Sequence, residues 1–193
     1  IDAASVAGGI FYAVDNGAKI LSLSLGFERD APVMRRAIAY ANSKNVVVVA
    51  AAGNGDSSGV GINNDMLPMY PASYEYPNVI SVAATNLKNN ITSYSNYGAK
   101  SVDLGAPGGD NLKLILSTYK PNPRGAGLTG MAGTSMAAPA VAGLAAQVLA
   151  KKPGMLPSAL RSHLMKSGSE NVSLAGKTVS GRMINALSAL KSE

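Results

Sequence analysis

An α/β fold, with an open and mostly parallel sheet flanked by helices in three layers, is what this sequence predicts, on three observations. Two apolar runs rich in β-branched residues, 46–52 unbroken and 79–84 interrupted by Ser81, read as strands covered on both faces. Amphipathic helical patterns alternate with strands, and strand, helix, strand in that order calls for parallel strands joined by a crossover. The 193 residues, 47% hydrophobic and 15% charged, suit one domain with a well-buried core.

From 3 to 17, Val6, Ile10 and Val14 recur at every fourth position and form one apolar stripe, and Asn16-Gly17 supplies a helix stop. Residues 19–25 read as a strand. In the next helix Asp30 is the candidate N-cap, Pro32 sits in the first turn, and Val33, Ala37, Ile38 and Ala41 share a face. The stretch 53–78 is dense in Gly, Asn, Asp, Pro and Tyr and too long for an idle connection, so it is a place to look for a site. Residues 102–106 and 112–118 read as short strands around the Pro107-Gly108-Gly109 turn, followed by a loop over 120–133. A helix over 134–150 comes next. Its Ala137, Ala138, Ala142, Gly143, Ala145 and Ala146 allow the close backbone approach of a buried central helix. Helices over 156–167 and 182–190 close the chain, and no internal repeat or low-complexity tract interrupts it.

Several function classes are disfavoured at this level. Cysteine is absent, so neither a disulfide framework nor a thiolate metal site can be built. The net charge of +6 is scattered, with Arg35-Arg36 and Lys151-Lys152 as the longest basic pairs, and this argues against nucleic acid as a partner. No apolar run approaches the ~18 residues of a membrane span. A chain opening on Ile1-Asp2 without methionine reads as processed or cut from something longer.

Two short segments carry chemistry. In Gly133-Thr134-Ser135-Met136-Ala137-Ala138-Pro139 a serine sits at the mouth of a helix, directly after a glycine-bearing turn. Unpaired backbone N–H groups and the helix dipole favour developing negative charge there, and Pro139 is close enough to the start for its missing N–H to be tolerated. An isolated Gly-Thr-Ser would be an ordinary N-cap, but the seven-residue string is far less common. In Ala50-Ala51-Ala52-Gly53-Asn54 an asparagine follows a buried strand, at the carboxyl edge where open parallel sheets gather ligands. Its amide is suited to an oxyanion, although a plain Gly-Asn turn is the bland alternative.

Four separated pieces resemble the subtilisin family, in the family's order: 21–26 (LSLSLG), 47–54, 70–72 leading into 78–84, and 133–139 with 141–143. Segments 93–98 (SYSNYG) and 103–108 (DLGAPG) also resemble that family, so the likeness covers nearly the whole chain. It implies a subtilisin-like, three-layer fold and a serine endopeptidase that cleaves through an acyl-enzyme and needs no cofactor for its chemistry. By the same resemblance Ser135 is the nucleophile, and Asn54 and the Ser135 N–H form the oxyanion hole. Ser24, Leu25 and Gly26 pair with extended substrate, Ala51, Ala52 and Gly53 form a wall of the specificity pocket, and Gly133 and Thr134 lie beside the substrate. Peptides or proteins are the implied substrates, and a secreted, extracellular location follows from the family alone.

The family's catalytic histidine and aspartate lie before the region that begins at Ile1. The expectation is therefore a single, incomplete domain over 1–193 with its N-terminal portion missing, inactive alone, poorly stable or self-associating, and partnered by the N-terminal part that supplies both groups. A non-catalytic pseudoprotease that keeps the peptide groove is the alternative. His163, beside Leu156, Leu160 and Leu164, reads as a surface or helix-packing histidine, and Asp56-Ser57-Ser58-Gly59-Val60 has the wrong order and spacing for the family's aspartate motif. Ala140 stands where most relatives carry histidine after the proline, which leaves the subgroup open. Structural calcium is a further implication. Asn63, Asn64 and Asp65 form one oxygen-rich loop, and the Ala72 carbonyl with Asp103 forms a second, weaker candidate.

Overall fold

The computed structural model describes residues 1–120 and 127–191, so the middle of the loop expected over 120–133 lies outside the described residues. Helix α1 (Ala3–Asp15) buries Ala7, Ile10 and Val14, starts on Asp2, whose carboxylate accepts the Ser5 N–H, and ends at Asn16. Strand β1 (Ile20–Leu23) follows, then α2 (Pro32–Ser43). Asp30 does not cap α2: Ala31 holds that position without a side-chain bond, while the Asp30 carboxylate takes the Arg35 guanidinium and the Tyr74 hydroxyl. A charged donor and a phenol outcompete the helix end for one carboxylate. Met34, rather than Val33, joins Ala37, Ile38 and Ala41 as the buried face.

The two apolar runs form β2 (Val47–Ala51) and β3 (Val79–Thr85), every residue of which is buried. After them come β4 (Leu104–Pro107), β5 (Ile115–Thr118), β6 (Leu128–Met131), α3 (Thr134–Lys151), α4 (Pro157–Ser167), β7 (Ser169–Glu170), β8 (Arg182–Met183) and α5 (Ala186–Lys191). The main sheet has six strands in the order β1-β2-β3-β4-β8-β7, parallel throughout except for the β7–β8 pair. Period-two alternation sorts the layers. Val47, Val49 and Ala51 join Ile80, Val82 and Leu104 against α3, α4 and α5, while Val46, Val48 and Val79 face α1 and α2.

Two further expectations are corrected. Residues 182–190 are not one helix: Met183 pairs with Gly105, and Ile184 donates to the Gly105 carbonyl, so the free edge of β4 captures the first residues before α5 begins. The segment after β5 is not wholly loop, since β6 pairs antiparallel with β5 in a separate two-stranded sheet. The small-residue face of α3 is only half used. Ala137, Ala138 and Ala145 are fully buried, but Gly143 and Ala146 face solvent, and a Cβ on Gly143 would meet nothing within 4 Å.

One buried ion pair ties the second helical layer to the sheet. Asp103, 1% exposed, accepts from Arg161 Nε and Nη2 of α4 at 2.9 and 2.6 Å, and its other oxygen accepts the Ser81 N–H of β3 at 2.8 Å. Burial pushes the Asp103 carboxyl up from its ordinary range, against the pull of Arg161. Removing the guanidinium leaves that carboxylate buried without a counter-charge. Arg161→Ala is expected to lower unfolding free energy by about 3 kcal/mol, measured by urea denaturation.

Candidate functional site

Three element ends meet at one corner: the carboxyl ends of β1 and β2 and the amino end of α3. Residues 53–55 leave β2 with Gly53 at φ +114° and Gly55 at φ +77°. A Cβ on Gly53 would lie 2.4 Å from Asn96 Nδ2, so glycine is required by contact as well as by backbone conformation. Asn54 follows and points at the start of α3. Its Oδ1 accepts from Thr134 N and from Thr134 Oγ1, both at 2.8 Å, and the Gly53 N–H donates to Thr134 Oγ1 at 3.2 Å.

This arrangement fixes the Asn54 amide. A backbone N–H can only donate, so the atom facing Thr134 must be oxygen, and Nδ2 is turned the other way. Among the described residues neither Asn54 Nδ2 nor the Ser135 N–H has a hydrogen-bond acceptor. Gly133 lies between them: a Cβ there would be 3.3 Å from Asn54 Nδ2 and 3.6 Å from Ser135 N. Two unpaired donors thus border a space that exists because residue 133 has no side chain. The helix dipole adds to the same positive field.

The Ser135 hydroxyl sits beside this space. Pro139 lacks the N–H that would bond the Ser135 carbonyl four residues back, and Ser24 Oγ donates to that carbonyl instead, at 2.7 Å. In return Ser135 Oγ reaches the Ser24 carbonyl at 3.4 Å, its hydrogen-bond partner among the described residues. The loss of one helical bond therefore ties α3 to the end of β1. Gly133 N donates to the Gly108 carbonyl, so the Pro107-Gly108-Gly109 turn holds the helix entry from the other side.

Of the residues predicted from sequence, Ser24, Asn54, Gly133, Thr134 and Ser135 converge here. Leu25 and Gly26 continue outward from Ser24, with Met69 packed against Gly26. Ala51 and Ala52 are 4% and 0% exposed and turn their methyl groups into the core, leaving Gly53 as the partly open member of that stretch. His163 lies apart on α4 with Nε2 2.8 Å from the Ala189 carbonyl of α5, a helix-packing position.

A family model described as the subtilase family matches residues 1–183. The chain belongs to the subtilase family. Thermitase of Thermoactinomyces vulgaris is 43% identical over 141 residues, 73% of this chain and 44% of thermitase. Subtilisin BL of Lederbergia lenta is 38% identical over 160 residues, 83% of this chain and 52% of that protein. Among solved structures, the prenylagaramide maturation protease PagA matches with a TM-score of 0.79 at 27% identity, covering 99% of this chain and 68% of PagA. A lanthipeptide protease matches at 0.81 and 25% identity, covering 98% and 66%. This subtilase chain spans about half the length of the curated relatives it matches, 44% of thermitase and 52% of subtilisin BL.

The side chains of Asn63, Asn64, Asp65 and Asp103, candidates for the calcium implied by the family, are already engaged in this subtilase. Asp65, Ala72 and Asp103 line one cavity of about 320 Å³, but the Asp103 carboxylate is shared between Arg161 and Ser81, and Asp65 accepts from Lys100 N, Ser101 N and Ser101 Oγ. Asn63 Oδ1 accepts the Asp65 N–H, and Asn64 turns inward. No group of three His, Cys, Asp or Glu side chains among the described residues is arranged to hold a metal ion. As they stand, these side chains do not fit a cation cage.

Thr134 is fully buried, and its hydroxyl serves both Gly53 and Asn54. Thr134→Val keeps the shape and the backbone bond but removes both hydroxyl contacts. The expected result is a loss of about 1–3 kcal/mol in unfolding free energy, with faster hydrogen exchange at the Gly53 amide.

Proposed function

We propose that this chain carries the nucleophile and the oxyanion site of a subtilisin-type serine endopeptidase that acts on peptides or proteins. The observation that carries the reading is the pair of unpaired donors, Asn54 Nδ2 and Ser135 N–H, bordering the cleared space at Gly133 beside the Ser135 hydroxyl. In this reaction Ser135 Oγ attacks the scissile carbonyl carbon and gives up its proton to an imidazole. The carbonyl oxygen becomes an oxyanion held by the two donors. Collapse of the intermediate breaks the C–N bond, the amine leaves with that proton, and water then hydrolyses the acyl-serine by the same steps. No cofactor enters. Substrate backbone would extend along Ser24, Leu25 and Gly26.

The imidazole is the group this chain does not bring to Ser135. The Ser24 carbonyl can accept the hydroxyl hydrogen but cannot carry the proton away, so the chain by itself should be inert toward peptides. We assign the histidine and its aspartate to an N-terminal part of the same peptidase domain. Three features support a covering segment on this side. β1 ends the sheet with its outer edge unpaired among the described residues, and an apolar groove of about 530 Å³ runs beside it, lined by Val6, Ile10, Leu21, Leu23 and Leu25. Gly143 and Ala146 of α3 are bare. A parallel strand added to β1 would end near Ser24, and hence near Ser135. Family habit makes such an enzyme a secreted one. No helix among the described residues is long and apolar enough to cross a membrane.

Labelling with a fluorophosphonate serine-hydrolase probe, followed by peptide mapping, tests the proposal. Modification of Ser135 only when the N-terminal segment is present supports it; no modification with that segment bound would leave a peptide-binding pseudoprotease. In the labelled form, Asn54→Ala should lower turnover about 100- to 1000-fold, as loss of the corresponding donor does in subtilisin. Gly133→Ala, which fills the space between the donors, should lower kcat at least as far while leaving far-UV circular dichroism unchanged.

A further inference from the structure

Asn96 and Asn64 are buried side chains to which the reaction above gives no role, 0% and 1% exposed. A buried carboxamide is tolerated only when its polar atoms find partners, so where these two spend their bonds identifies what they hold. Asn96 Oδ1 accepts two backbone N–H groups, Gly55 at 2.8 Å and Ile62 at 3.0 Å. Its Nδ2 donates to Asn64 Oδ1 at 3.0 Å, and Asn64 Nδ2 donates in turn to the Ala52 carbonyl at 2.8 Å. The Asn96 backbone N–H donates to the Gly53 carbonyl at 2.9 Å.

Every one of these contacts near the site falls on the residues flanking Asn54. Ala52 and Gly53 are held on one side and Gly55 on the other, while Asn54 is left exposed with its side chain on Thr134. Asn96 is itself anchored: Ser95 Oγ donates to the Asn96 carbonyl and accepts the Ala84 N–H of β3. A rigid line thus runs from the sheet, through the two carboxamides, to the backbone on both sides of Asn54.

We propose that the buried Asn96–Asn64 carboxamide pair is the positioning device for the oxyanion-binding Asn54, holding the 53–55 backbone so that Asn54 Nδ2 stays aimed into the space at Gly133. The proposal rests on the reading of Asn54 as an oxyanion donor. Neither residue touches substrate; both act through the backbone that carries the donor. Preorganisation of this kind matters because a donor displaced by about 1 Å can cost about 100-fold in rate.

The test uses Asn96→Ala and, in case that variant does not fold, Asn64→Ala. On the chain itself, amide hydrogen exchange is read at Gly55 and Ile62, with Val48 and Val49 of β2 as the reference for global stability. The Asn54 carboxamide is followed in a ¹H–¹⁵N spectrum. For Asn96→Ala the expected result is exchange at Gly55 and Ile62 faster by about 100-fold, Val48 and Val49 within about threefold, and Asn54 carboxamide signals moved toward free-asparagine positions. Asn64→Ala should move the carboxamide signals in the same direction. In the peptidase containing this chain, either variant should lower kcat at least about tenfold at unchanged KM. An unmoved Asn54 carboxamide in both variants would overturn the proposal, as would a rise in KM at constant kcat. A wild-type enzyme that never turns over peptide would instead defeat the functional reading, while the exchange and carboxamide data would still decide the positioning.

Discussion

The arrangement of this molecule depends on two hydrogen bonds of 2.8 Å from Thr134 to Asn54 Oδ1. They join the end of a strand to the start of a helix 80 positions later, and they do so with a backbone donor that would otherwise be one of the orphan N–H groups of α3. Because that donor demands an acceptor, the amide of Asn54 has one orientation, with its nitrogen outward. A structural need of the helix end thereby dictates the polarity of the site. Gly133 completes the arrangement by leaving empty the space that both outward donors border.

The layers serve this junction. β2 and β3 are buried along their whole length because α1 and α2 cover one face and α3, α4 and α5 the other. Parallel strands put their carboxyl ends on one side of the sheet, and the ends of β1 and β2 both reach α3 there. Pro139 contributes by omission: the carbonyl it cannot bond is claimed by Ser24, so a helix defect becomes a tie to the sheet edge. On the far side the Asp103–Arg161 pair holds α4 to β3 and β4, away from the corner where chemistry is proposed.

The edge beyond β1 has a different character. Interior strands of this sheet have partners on both sides, whereas β1 ends the order with apolar side chains along its flank and bare small residues on the neighbouring helix. Covering such an edge with a further segment is one of the ways proteins manage an unpaired strand. The proposed division of labour, with nucleophile and oxyanion donors here and the base on a covering segment, gives that edge a purpose and accounts for a serine whose hydroxyl, among the described residues, meets a carbonyl alone.

What the sequence determined by itself was whatever depends on neighbours along the chain. The β-branched runs had to be buried strands, the four-residue spacing of Val6, Ile10 and Val14 had to be a helix face, and Ser135 had to stand at a helix mouth because Gly133 precedes it and an alanine-rich helical run follows. Tertiary structure decided everything set by partners distant in sequence. Asp30 left the cap it was placed to fill because Tyr74, 44 positions away, joined the nearby Arg35 on its carboxylate, and residues 182–183 became a strand because β4 had a free edge. Asn64, read as a candidate cation ligand, became half of a buried carboxamide pair because Asn96, 32 positions away, was folded against it. Hydrogen-bonding groups are interchangeable on paper; which donor finds which acceptor is settled only when packing excludes water and limits the partners each buried group can reach.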